Sequence, residues 1–169
     1  MKTQLRFAPS VLLGLFLVIF TLLSPVVSRA LTMSAAEDAA KTTGFDEVSK
    51  RKPKDPFYGS KRKDAKEWTT FEAYPKGAEA SQIAITCNQC KDRKMTEAFQ
   101  VTCYDQVSKV AAALGVDLPG GVVRAFEKGV ADKTWELKVN KAASVRLKKT
   151  GLKCDMGPGG SGYRFDFFF

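Results

Sequence analysis

The stretch Ser81–Gln106, "SQIAITCNQCKDRKMTEAFQVTCYDQ", changes its hydrophobic period half-way along. Up to Thr86 the apolar residues alternate, with Ile83 and Ile85 on one side, which is the period of a β-strand. From Met95 onward they recur every three or four residues: Met95, Phe99, Cys103, Val107, Val110 and Leu114. That stripe predicts an amphipathic helix, with Gly115 as its C-terminal stop. The Cys87-x-x-Cys90 pair lies between the two patterns, and Cys103 sits within the helical stripe. A strand running through a cysteine pair into such a helix restricts the fold to a sheet with packed helices.

The residues that follow extend this reading. "VDLPGG" is a turn, and Val122–Val130 reads as a shorter helix packed through Val122, Val123, Phe126 and Val130. Three alternating segments close the chain. Trp135, Leu137 and Val139 share one face of the first, Val145 and Leu147 one face of the second, and Tyr163, Phe165, Phe167 and Phe169 one face of the third. The expected fold class is α+β, two helices packed on a small, mostly antiparallel sheet. The expected domain spans residues 67–169, with Trp68, Phe71 and Tyr74 at its entrance. A domain of that length builds only a modest core, so covalent staples would add to its stability.

Residues 1–30 have the anatomy of a cleaved export signal. Lys2 and Arg6 precede an apolar run from Val11 to Leu23, and Ser28-Arg29-Ala30 places small residues where a signal peptidase reads them. The alternative is an uncleaved N-terminal anchor, but the run is short of the roughly 20 residues that span a bilayer. Arg29–Lys41, "RALTMSAAEDAAK", resembles the processing junctions of plastid-targeted proteins in algae whose plastids derive from red algae. That resemblance implies a plastid or thylakoid-lumen destination beside ordinary secretion.

Residues 31–66 read as a flexible leader followed by an extended basic arm. Thr32–Lys41 could form a short helix but carries no recurring apolar face. The arm, Ser49–Lys66, repeats Ser-Lys-Arg-Lys at Ser49 and Ser60 and holds eight Lys or Arg against two Asp. Its prolines, Pro53 and Pro56, bias the backbone toward extended conformations. Lys50, Arg51, Lys52, Lys54, Lys61, Arg62 and Lys63, with Phe57 and Tyr58 between the clusters, are the expected partner-binding residues. Of the chain's net charge of +9, residues 1–30 supply Lys2, Arg6 and Arg29, and the arm's excess of cations equals all of the rest. The basicity is therefore local, and it points to an acidic protein surface or an anionic membrane surface. Nucleic acid is the least favoured partner, because exported proteins seldom meet it.

The chain contains no histidine. This excludes a Ser-His-Asp triad, a Cys-His dyad and histidine-ligated metals. Four cysteines, Cys87, Cys90, Cys103 and Cys154, in an exported chain predict two disulfides, with Cys103 bonded to Cys87 or Cys90 and Cys154 to the other. A thiol-disulfide oxidoreductase is the enzymatic alternative, using Cys87 as nucleophile, Cys90 as resolving thiol and Lys91 beside the thiolate. Against it, the helix stripe begins several residues after Cys90. A four-cysteine zinc site is disfavoured by the absence of a second Cys-x-x-Cys, and no metal or cofactor is expected.

Two other features bear on function. The Phe-rich tail, Tyr163, Phe165, Phe167 and Phe169 behind the "GPGGSG" hinge, reads either as a core strand or as a strand offered to a partner's sheet. No carboxylate pair stands out for acid-base work. The leading expectation is an exported, non-catalytic binding or accessory protein, such as an extrinsic subunit of a membrane-associated complex, a photosynthetic one where the plastid resemblance applies. A secreted effector-like protein has the same parts.

Overall fold

A computed structural model describes residues 30–47, 55–91, 95–118, 135–140, 143–152, 154 and 159–169. Among them are two helices and seven strands, in the order α1 (Met33–Thr42), β1 (Asp46–Glu47), β2 (Phe57–Arg62), β3 (Glu67–Lys76), β4 (Glu79–Gln89), α2 (Glu97–Ala113), β5 (Trp135–Asn140), β6 (Ala143–Leu152) and β7 (Gly160–Phe168). The fold is α+β, as the two hydrophobic periods predict.

All seven strands form one sheet in the order β1-β2-β3-β4-β7-β6-β5, and every neighbouring pair is antiparallel. The register explains why alternation was so informative. Ala73, Ile83, Phe167 and Val145 lie in one cross-strand row, and Phe71, Ile85, Phe165 and Leu147 in the next. All eight are buried in a single core with residues of α1 and α2. Burying one such large apolar side chain contributes about 1.5–3 kcal/mol, so these rows hold the sheet to the helices.

The helices are shaped by simple local rules. In α1 the Thr32 hydroxyl accepts from the Ala35 N–H (3.2 Å), a side-chain N-cap. Both helices then end in the same way. Gly44 and Gly115 take positive φ, and the next residue donates back into the last turn, Phe45 to Ala40 O and Val116 to Ala111 O. This is the Schellman stop, whose left-handed position favours glycine. The α2 stripe lies as its spacing predicts, with Met95, Phe99, Cys103, Val107 and Val110 buried.

Three expectations need correction. The described residues of the expected leader and arm, 31–47 and 55–66, do not stand outside the domain. Ala36, Ala39 and Ala40 bury one face of α1, Phe45 and Phe57 enter the core beside Phe71, and the β2–β3 pairing crosses the expected boundary at residue 66. The alanine face looked featureless because its packing depends on close approach and not on bulk. The sheet is also larger than expected, since β2 and β3 add to it. Finally, the C-terminal segment is no free strand: β7 is bonded to β4 on one side and β6 on the other, with Tyr163, Phe165 and Phe167 buried. Neither edge of β7 is open to a partner's sheet, and docking through Tyr163, Phe165, Phe167 and Phe169 is withdrawn. The helix expected at 122–130 lies outside the described residues.

One buried group is badly placed. The Ser161 hydroxyl is enclosed and has no hydrogen-bond partner among the described residues. Leaving a buried hydroxyl unsatisfied costs free energy, so Ser161→Ala is expected to stabilise the protein by about 1 kcal/mol, read as a shift of the urea midpoint.

Candidate docking cleft and the disulfide clamp

The cysteine question resolves into two bridges, Cys87–Cys103 and Cys90–Cys154. The first joins the core face of β4 to α2, and both its residues are fully buried. The second ties the end of β4 to the connection between β6 and β7. Neighbouring sulfurs of the Cys-x-x-Cys thus enter different bonds. The Cys87–Cys90 bond that an oxidoreductase would cycle is not formed, and none of the four cysteines is free to ligate a metal. Two such bridges point to a non-reducing compartment. Among the described residues no helix is long and apolar enough to cross a membrane.

The expected partner-binding residues fall into three groups. Lys50, Arg51, Lys52 and Lys54 lie outside the described residues. Phe57 is 0% exposed and packs edge-on against Phe71, so it is unavailable to a partner. Tyr58 points to the opposite face and is 37% exposed, its pKa raised by partial burial and by the Glu72 charge. The third group, Lys61, Arg62 and Lys63, is exposed at the end of β2.

These three cations do different work. Lys61 Nζ donates to Thr43 O (3.2 Å) and Gln106 Oε1 (2.9 Å), while Gln106 Nε2 donates to the same Thr43 carbonyl (2.9 Å). Lys61 is therefore a tether joining β2, the end of α1 and α2. Lys63 Nζ pairs with Glu67 Oε2 at 2.8 Å, and that hydrogen bond, with the carboxylate charge behind it, raises its pKa. Arg62 is the exception: its guanidinium lies 5.8 Å from the Trp68 ring centroid and has no carboxylate partner among the described residues. A cation–π contact with an indole face leaves the guanidinium N–H groups available to other acceptors.

Beneath these residues is a cleft of about 330 Å³ between the β2–β3 hairpin and α2. Trp68, Thr69, Phe99, Thr102 and Gln106 line it, and Lys61, Arg62, Lys63 and Glu67 complete its wall. Sequence reasoning found the cations but missed the cleft. Lys61, Thr69, Phe99 and Gln106 meet at the cleft only because β3 turns back along β2 and α2 crosses below, and no spacing in the chain announces that.

A second polar cluster occupies the sheet face opposite the helices. Arg164 donates to Asp166 (Nε–Oδ1 2.8 Å), Glu72 (3.0 Å) and the Tyr74 hydroxyl (3.3 Å). Tyr74 donates in turn to Glu72, and Gln82 Nε2 donates to Asp166 Oδ1 at 3.0 Å. Asp166 is only 2% exposed. Its partners are all internal, and the arrangement joins β3, β4 and β7, which makes it sheet cement.

No protein-family model matches the chain, and no curated protein or solved structure matches it.

Proposed function

We propose that this protein is an exported, non-catalytic binding or accessory protein that docks on an acidic partner through its basic segment. The observation that carries the reading is the Arg62 guanidinium, which lies over the Trp68 ring and has no carboxylate partner among the described residues, within a local excess of cations. Lys61 supports it by fixing the strand on which Arg62 stands. Lys50, Arg51, Lys52 and Lys54 would extend the same charge along the chain. The disulfide pairing fits an exported protein, and a lumenal or secreted location, including a thylakoid lumen, suits such an accessory subunit.

Replacement of Lys50, Arg51, Lys52, Arg62 and Lys63 by Gln tests the proposal. Lys61 is spared because its loss would also loosen the fold. Association with native membranes or their extracted complexes is expected to fall at least about 10-fold, and wild-type association to weaken as salt rises toward about 0.5 M. Association that ignores both the substitutions and the salt would overturn the reading.

A further inference from the structure

We infer that the Ala30–Leu31 peptide bond is a processing site that is cut only before the chain around it folds, after which the new N-terminus closes part of one edge of β4. This rests on the exported half of the proposed function and is independent of acidic docking. The sequence places small residues, Ser28 and Ala30, where a signal peptidase reads them, and the next residue is already bonded into the sheet. Ala80 N–H donates to Leu31 O at 2.7 Å and Met33 N–H donates to Ala78 O at 3.1 Å, with Thr32 opposite Glu79 in an antiparallel bridge. The Thr32 hydroxyl then caps α1, and Leu31 and Met33 pack against the core. The three residues that follow the scissile bond are all committed to the folded domain.

The edge they occupy continues the line of β7. Gln82 pairs with Phe168 and Phe169 N–H donates to Ser81 O, so β7 covers β4 as far as Ser81. An extra residue at Ser81, where Tyr74 faces Gln82 and Pro75 faces Ala80, turns Ser81 and Ala80 toward the same edge. Residues 31–33 therefore follow Phe169 along β4, and both segments run antiparallel to it. Continued back in line, Ala30 would take the place opposite Ser81, which Phe169 already fills, so the chain cannot extend along β4 at Ala30. A peptidase of this class binds its substrate extended across the scissile bond and needs residues on both sides for its own backbone pairing. It cannot take residues 31–33 from β4 without opening the domain. The scission is hydrolysis: water adds across the bond between the Ala30 carbonyl carbon and the Leu31 nitrogen, leaving a carboxylate on Ala30 and an ammonium on Leu31. The fold controls its timing. A precursor that folds first keeps the apolar run of residues 11–23.

The test presents the full chain to a purified signal peptidase in detergent micelles, either freshly translated under reducing conditions or refolded and oxidised. In the fresh chain, intact mass is expected to place the new N-terminus at Leu31. The folded chain should be cut at least about 10-fold more slowly, since cleavage draws on the opened population. Ala80→Pro removes the N–H that holds Leu31, leaves the sequence around the scissile bond intact, and should restore cutting of the oxidised chain. Thr32→Ala, which loses only the helix cap, should speed that cutting about 5-fold. Thiol counting that finds both disulfides intact separates a released segment from a variant that fails to fold. A new N-terminus at any other residue would overturn the site. No cutting of the fresh chain would overturn the site and the export reading together. Equal cutting of fresh and folded chains would overturn the order of events and leave export standing.

Discussion

Removing the buried bridge with Cys87→Ala and Cys103→Ala is expected to cost about 4–5 kcal/mol, and removing the other with Cys90→Ala and Cys154→Ala about 3–4 kcal/mol. The order is not the one that loop length alone dictates. Cys90–Cys154 spans 64 residues and Cys87–Cys103 spans 16, so chain entropy makes the longer bridge worth about 4 kcal/mol and the shorter about 3. Packing reverses them. Cys87 and Cys103 are fully enclosed between β4 and α2, so the alanine pair leaves a void in the core. Cys90 and Cys154 are half-buried, and their sulfurs are replaced more easily by water. The two loops overlap in sequence, so the effects should not add, but loss of both bridges would consume much of the roughly 5–15 kcal/mol that a domain of this kind has in total. Urea unfolding of the two double variants and of the fully reduced protein measures this directly. A buried-bridge variant within about 1 kcal/mol of wild type would show that β4 and α2 are held by apolar packing alone. The same experiment speaks to redox use: a catalytic pair would be expendable for stability, whereas a clamp is not.

The parts of the fold that were legible are those where a strong hydrophobic signal and its position in space coincide. The period change at Cys87–Met95 revealed β4 and α2, and "YRFDFFF" revealed the alternation of β7. What period cannot reveal is which strands become neighbours. That β7 lies inside the sheet, between β4 and β6, depends on pairings that the last residues of a chain do not advertise. The reading of residues 31–47 and 55–66 as lying outside the core failed for another reason. Basic residues and prolines dominate the composition there, while structure depends on a few apolar positions: Ala36, Ala40, Phe45 and Phe57. A local signal was present, since Gly44-Phe45 has the same glycine-then-apolar form as the Gly115-Val116 stop of α2. The cleft beside α2 had a legible rim and an illegible floor, because its lysines advertise themselves by charge and Phe99 was already accounted for as core.

Arg164→Met is expected to destabilise the protein by about 2–4 kcal/mol, far more than an exposed ion pair would. The guanidinium serves three acceptors from within the sheet face, and its removal leaves Asp166 buried with Gln82 and a distant Lys148 (4.0 Å) as its remaining partners in this cluster. Burial by itself would lower the Arg164 pKa, but hydrogen bonding to Tyr74 and Asp166, with the charges of Asp166 and Glu72, outweighs it and leaves the group raised. The cation is thus secure at every working pH. Asp166→Asn relieves the stranded carboxylate, so Arg164→Met with Asp166→Asn should lose less than the two single variants summed, and a double-mutant cycle measures that coupling. The alkaline limit is set elsewhere. Burial, then the hydrogen bond to Glu72, raises the Tyr74 pKa above the ordinary tyrosine value. A folded-state pKa raised in this way means that the native state holds the proton more tightly. Its contribution to stability is therefore complete below about pH 10 and disappears as pH rises through the elevated value. Unfolding free energy measured from neutral pH upward should hold up to that point and then fall, and Tyr74→Phe should remove that portion of the fall. A wild-type curve of the same shape as Tyr74→Phe would mean that the Tyr74 hydroxyl contributes nothing to the cement of the sheet.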